Sequence, residues 1–191
     1  MNTEELNALK DRAYKTAVAH GFHEEERPDA FWLGLVMSEA GDAINADRKG
    51  WLADAVLFND DLAEMSFIDS FEAHIKDSVE DEIADIVIRL LDFAGMKGYT
   101  LLISGFSELP SYAIIETFAG NGLAGTLFHL IGVLRDSLED DTTKATVGIV
   151  INIISDCFDK LTGGSDCDLW WFVEQKMRYN EQRPKFNGKK Y

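Results

Sequence analysis

Apolar residues recur at helical spacing along most of the chain, and no β-rich segment stands out. Leu6, Leu9, Ala13, Tyr14 and Ala17 predict an amphipathic helix over residues 1–20, with Thr3 as its N-cap and Gly21 at its end. After the polar HEEERPD connection, Pro28 and Asp29 open a helix of about Asp29–Arg48, whose core face is Trp32, Leu35, Val36, Ala43 and Ile44. Gly50 stops it, and Arg48 and Lys49 suit the negative end of its dipole. Residues 51–76 have weak periodicity and predict a loop with one or two short helical turns, long enough for a lid. Further helices are expected at about Ser78–Gly98, Ser111–Glu139, Thr143–Leu161 and Asp168–Gln182, with Thr142 or Asp141 capping the third of these. Gly120, Gly122 and Gly125 break the 111–139 stretch in two; with no strand before them and no GK[ST] after, they read as packing or kink positions. The pattern predicts one all-α domain over 1–191, a helical bundle of about five or six helices. It divides into an acidic helix pair at 29–98, a second helix pair at 111–162, and a C-terminal helix with a basic tail at 168–191.

The 78–98 helix is apolar almost all round. Ile83, Ile86, Val87, Leu90 and Ala94 cover one side, and Ala84, Ile88 and Leu91 most of the rest, which demands burial. Yet Glu82, Asp85, Arg89 and Asp92 follow one another at steps of three, four and three, a single stripe down the helix. Buried charges are costly unless paired, hydrogen-bonded or bound to metal, so something must face that stripe. One reading is a structural ladder in which Asp85 and Asp92 flank Arg89. The other brings in the preceding helix, where Glu39 and Asp42 also stand three apart. A weak echo runs between the two helix pairs: IVIRLLDF at 86–93 resembles IVINIISD at 149–156, and SEAGDAINAD at 38–47 can be laid over GVLRDSLEDD at 132–141. This overlay admits a degenerate repeat of a helix pair. Gly148 stands in the place of Asp85, Asn152 of Arg89 and Val133 of Glu39, while Asp136 keeps the carboxylate of Asp42.

Composition narrows the partners. Acidic residues outnumber basic ones by 34 to 18, a formal charge of −16, which repels nucleic-acid polymers and anionic lipid. The two cysteines, Cys157 and Cys167, form no CxxC pair and no secretory start precedes them, so a cytoplasmic protein without a zinc site is expected. The longest apolar run, around Val147–Ile154, is far too short to span a bilayer. No histidine stands three residues after a glutamate, which argues against a carboxylate di-iron bundle.

If the two acidic helices are antiparallel neighbours, Glu39, Asp42, Glu82 and Asp85 meet at one point. Four carboxylates at close range cannot all stay ionised without cations, and oxygen-only ligands select Mg²⁺ or Mn²⁺. Magnesium is usually completed by waters and substrate phosphates, so such a cage suggests phosphate chemistry. The C-terminal helix supplies cations. Lys176, Asn180 and Arg183 share a face, Pro184 ends the helix, and Lys185, Lys189 and Lys190 follow.

SEAGDAINADRKG, EDEIADIVIRLLDFAG and KMRYNEQRPKFNGKK together resemble the three signature segments of the all-α nucleoside triphosphate pyrophosphatases, the MazG-like family. The family pattern is ExxE, then ExxD on a second helix, then KxxxNxxRP followed by GK; the similarity covers roughly a third of the chain. The resemblance implies a helical bundle, often a homo-oligomer, that cleaves a (deoxy)nucleoside triphosphate to monophosphate and pyrophosphate with Mg²⁺. It implies metal ligation by Glu39, Asp42, Glu82 and Asp85, with Glu39 or Glu82 as general base. Phosphate contacts fall to Lys176, Asn180 and Arg183, and to Lys189. Asp92 is a candidate to reach sugar or base, and Trp32 and Trp51 to stack on the base. Two departures stand out: Asp42 replaces the family's second Glu, one methylene shorter, and residues 51–76 lengthen the spacing between the two acidic pairs. The competing reading is a non-catalytic helical interaction or nucleotide-binding protein with a structural acidic ladder.

Overall fold

The computed structural model of the chain describes residues 1–103, 120–139 and 142–185. These residues contain eight α-helices and no strand. In chain order they are α1 (Thr3–Ala19), α2 (Asp29–Lys49), α3 (Ala55–Asp61), α4 (Phe67–His74), α5 (Val79–Met96), α6 (Gly122–Ser137), α7 (Thr143–Thr162) and α8 (Leu169–Asn180). The described residues form an all-α bundle, with eight helices among them rather than five or six. The difference arises in the 51–76 segment, where Asp54 and Ser66 each cap a short helix by accepting a backbone N–H, of Leu57 and of Asp69. Their aromatic residues serve tertiary contacts rather than an amphipathic repeat, so periodicity showed no more than one or two helical turns here. Phe71 stacks on Tyr179 of α8 at 4.5 Å, and Phe58 meets the Trp171 ring edge-on at 5.5 Å.

At the first helix the cap is Asn2 rather than Thr3. Asn2 and Glu5 form a reciprocal capping box, with Asn2 Oδ1 accepting the Glu5 N–H and Glu5 Oε2 accepting the Asn2 N–H. The expected residues 111–119 and the alternative cap Asp141 lie outside the described residues, as do Lys189 and Lys190. Thr142 is the residue preceding α7, and its side chain makes no capping hydrogen bond there.

Helix α5 is the central element: thirteen of its eighteen residues are buried, and α1, α2, α7 and α8 all pack against it. Three of those buried residues, Glu80, Asp81 and Glu82, are the acids of its first turn. Glu80 Oε2 accepts the Ala53 N–H at 2.9 Å, tying the end of the α2–α3 connection to α5. Helix α2 runs antiparallel to α5, as Asp29 pairs with Lys97 near one end and Glu39 with Arg89 further along. Close approach of α1 requires Gly95, since a Cβ there would lie 2.5 Å from Tyr14 Cβ and 3.2 Å from the Lys10 carbonyl oxygen. Helix α6 packs on α2 and α7 on α5, and α6 and α7 pack on each other. No helix among the described residues is long and apolar enough to cross a membrane.

Candidate metal centre

The antiparallel pairing of α2 and α5 puts their acidic stripes face to face. Glu39, Asp42 and Glu82 each offer a carboxylate oxygen, all within 4.8 Å of one another. These three residues are the donors a hard divalent cation prefers, with no nitrogen or sulfur among them, so the cluster fits Mg²⁺ or Mn²⁺. A second group, Asp77, Asp81 and Glu82, meets the same distance condition and shares Glu82 with the first.

Asp85, the fourth expected ligand, faces a cation already built into the chain. Lys176 Nζ lies 2.6 Å from Asp81 Oδ2 and 2.9 Å from Asp85 Oδ2. Lys176, expected to bind phosphate, is among the residues lining the adjacent cavity but is 4% exposed and paired with these two carboxylates. Asp81 had not been singled out, although it stands one turn before Asp85 on the same helix. The stripe on α5 is therefore not a self-contained ladder. Asp85 pairs with Lys176 of α8, Arg89 Nε donates to Glu39 Oε1 of α2 at 2.9 Å, and Asp92 Oδ1 lies 2.7 Å from His23 Nε2.

The electrostatics follow from this arrangement. Burial raises the Glu82 carboxyl to about 8, with Asp85 adding to the rise and Lys176 opposing it. The Glu82 carboxyl has neither ion pair nor hydrogen bond among the described residues. Burial also lifts Asp81, to about 6, against the pull of Lys176. For Lys176 burial acts downward, but Asp81 and Asp85 outweigh it and hold the ammonium above its ordinary value. Asp92 is raised by burial, and His23 works in the opposite direction.

Above the three carboxylates lies a cavity of about 340 Å³. Its walls include Lys49, Lys76 and Arg183 as well as Trp51, Asn45 and Tyr179. Lys49 and Lys76 were not foreseen as site residues. A signal for Lys49 existed, because Glu39, Asp42, Ala46 and Lys49 form one stripe at steps of three, four and three; Lys76 comes from a loop and had none. Trp51 is half exposed beneath the Lys49 ammonium, which sits 4.5 Å from the ring centroid. Tyr179 donates its hydroxyl to Glu72 at 2.6 Å and is pushed up to about 12, chiefly by burial.

A narrower cavity, about 50 Å³, shares Glu39, Asp85 and Arg183 with the first and adds Arg89, Asp92 and Asn180. It has room for little more than ordered water. Asn180 Oδ1 is buried without a hydrogen-bond partner on this side. Trp32 is 4% exposed and stacks on His23 at 4.5 Å, so it belongs to the core rather than to the open cavity. On the second helix pair, Asp136 is exposed and paired with Arg135, while Asn152 donates to the carbonyls of Leu102 and Gly148. Compared with protein-family models, curated proteins and solved structures, the chain matches none of them.

Proposed function

We propose that this chain is a Mg²⁺-dependent nucleoside triphosphate pyrophosphohydrolase, which cleaves a (deoxy)nucleoside triphosphate to monophosphate and pyrophosphate by water attack at the α-phosphorus. The observation that carries the reading is the convergence of Glu39, Asp42 and Glu82 within 4.8 Å on the wall of a 340 Å³ cavity that also holds Lys49, Lys76 and Arg183. Carboxylates and phosphates repel, so a site built from both is intelligible only with a divalent cation between them. When bound, Mg²⁺ neutralises charge on the phosphates and polarises the attacking water; Mn²⁺ has the same coordination preferences.

The chain's own groups take distinct roles in this reading. Glu39, held at Oε1 by Arg89, presents its carboxylate to the cation in a fixed orientation. Glu82, whose proton affinity burial has raised, would give up its own proton when the cation binds and then serve as the group that accepts the water proton. Asp42, exposed and shorter than Glu, completes the triad directly or through water. Lys49, Lys76 and Arg183 meet the triphosphate, and Trp51 offers a face for stacking at the rim. With its −16 charge the chain suits a small metal-bound nucleotide better than a nucleic-acid polymer.

The ion pairs at Asp85, Glu39 and Asp92 favour a second reading, in which the acids are structural and nucleotide is bound without turnover or not at all. Unpaired Glu82 argues against it. The test is incubation of the purified protein with a panel of NTPs and dNTPs, with and without Mg²⁺, and assay of released pyrophosphate. Metal-dependent release from at least one nucleotide is expected. No release from any of them, with Glu82→Gln unchanged in nucleotide affinity, would sink the hydrolase reading.

A further inference from the structure

Two carboxylate triads share Glu82. One, with Glu39 and Asp42, opens to the cavity; the other, with Asp77 and Asp81, lies beside a lysine. The Lys176 ammonium is within 2.9 Å of both Asp81 and Asp85, and the residue is buried. Asp77 fixes this arrangement from the other side. Its backbone adopts φ 63°, unusual for a residue with a side chain, and its N–H donates to Asp81 Oδ2 at 3.0 Å. Asp81 Oδ2 thus takes two donors, while Oδ1, equally buried, takes none. An acid cluster with one oxygen left without a donor, and an ammonium at its edge, is the geometry of a second cation subsite filled by the protein itself.

We propose that Lys176 is the site's built-in second cation: its ammonium, held by Asp81 and Asp85 beside the second acid group, balances the charge that a second divalent ion would balance, so the cavity takes a single divalent cation, at Glu39, Asp42 and Glu82. This rests on the metal reading above but not on turnover. The division of labour is physically reasoned. A lysine between Asp81 and Asp85 supplies one positive charge at no cost in metal affinity, and it cannot be diluted or chelated away. It also engages Asp85 Oδ2, so the open triad would bind through three carboxylates and leave positions for water and phosphate oxygens. Because Lys176 comes from α8, the charge balance of the α2–α5 centre depends on docking of the C-terminal helix.

The experiment is titration of the metal-free protein with Mn²⁺, counting bound ions by the electron paramagnetic resonance of free Mn²⁺, with no nucleotide present. Wild type should bind one Mn²⁺ per chain. Lys176→Met, which vacates the inner subsite, should bind two, and the double variant Lys176→Met/Asp81→Asn should return to one. Two ions on the wild type would overturn the assignment while leaving the metal reading standing. None on the wild type would remove the metal reading itself, and with it this proposal. If Lys176→Met is unfolded in chelator, Mn²⁺ should restore its helical circular dichroism. Failure to do so, with the double variant folded, would overturn the role of Lys176, as would a count of one on a folded Lys176→Met.

Discussion

Glu82 is the carboxylate most open to test, because in the metal-free protein the pull of Lys176 does not outweigh its burial. Its carboxyl is raised from 4.5 to about 8, so the folded chain keeps it protonated at neutral pH while the unfolded chain ionises it. The sign follows directly. Below pH 4.5 both states carry the proton and Glu82 costs nothing. Between 4.5 and 8 the fold loses stability steadily, and above 8 the loss is complete. At about 1.4 kcal/mol per pH unit, the difference at pH 7 is about 3 kcal/mol. Water at the cavity mouth screens the charge and brings this to about 1–2 kcal/mol. Replacement of Glu82 by Gln, its neutral isostere, should therefore raise Tm in EDTA by roughly 3–6 °C at pH 8 and leave it unchanged near pH 4.5. Addition of Mg²⁺ should reverse the order, because wild type gains a ligand set that the variant lacks. The assay is thermal melting followed by circular dichroism across pH, with and without the ion. A Glu82→Gln protein that melts below wild type at pH 8 in EDTA would refute the reasoning, since it would mean that the ionised carboxylate already has a partner.

Other outcomes can be read independently. Lys49→Ala and Lys76→Ala should each raise KM for the triphosphate by about 3–10-fold with little effect on kcat, as rim cations act in binding rather than in the reacting geometry; steady-state kinetics distinguishes the two. Deletion of residues 184–191 should weaken triphosphate affinity in calorimetric titration while leaving Tm within a few degrees, and unchanged affinity would assign the tail to solvent. Gly95→Ala should destabilise by about 1–3 kcal/mol in urea unfolding, because the new methyl meets the Tyr14 side chain and the α1 backbone; a neutral result would mean that α1 can shift freely on α5. Asp136→Asn should leave turnover near wild type, its carboxylate being exposed and held by Arg135.

Much of this protein is legible in periodicity alone. The apolar spacing located α1, α2, α5, α7 and α8 to within a few residues, and the burial of α5 followed from its being apolar on nearly every side. The same spacing identified Glu39, Asp42 and Glu82 as residues of two facing stripes, because a helix repeats every 3.6 residues and fixes which side chains share a face. Periodicity carries no information on which partner arrives at that face. That Asp85 meets Lys176, from a helix 91 positions later in sequence, was decided when α8 docked on α5. Likewise Arg89 turned to Glu39 rather than to its own helix neighbours, and Asp92 to His23, an exchange that desolvation enforces once the chain is compact. Helices α3 and α4 were legible only as one or two short helical turns within 51–76, because aromatic contacts with α8, not an amphipathic repeat, hold them in place. Local pattern chose the helices and their acidic faces; only tertiary packing determined which partner each acid meets, and that Glu39, Asp42 and Glu82 are grouped at the wall of the open cavity.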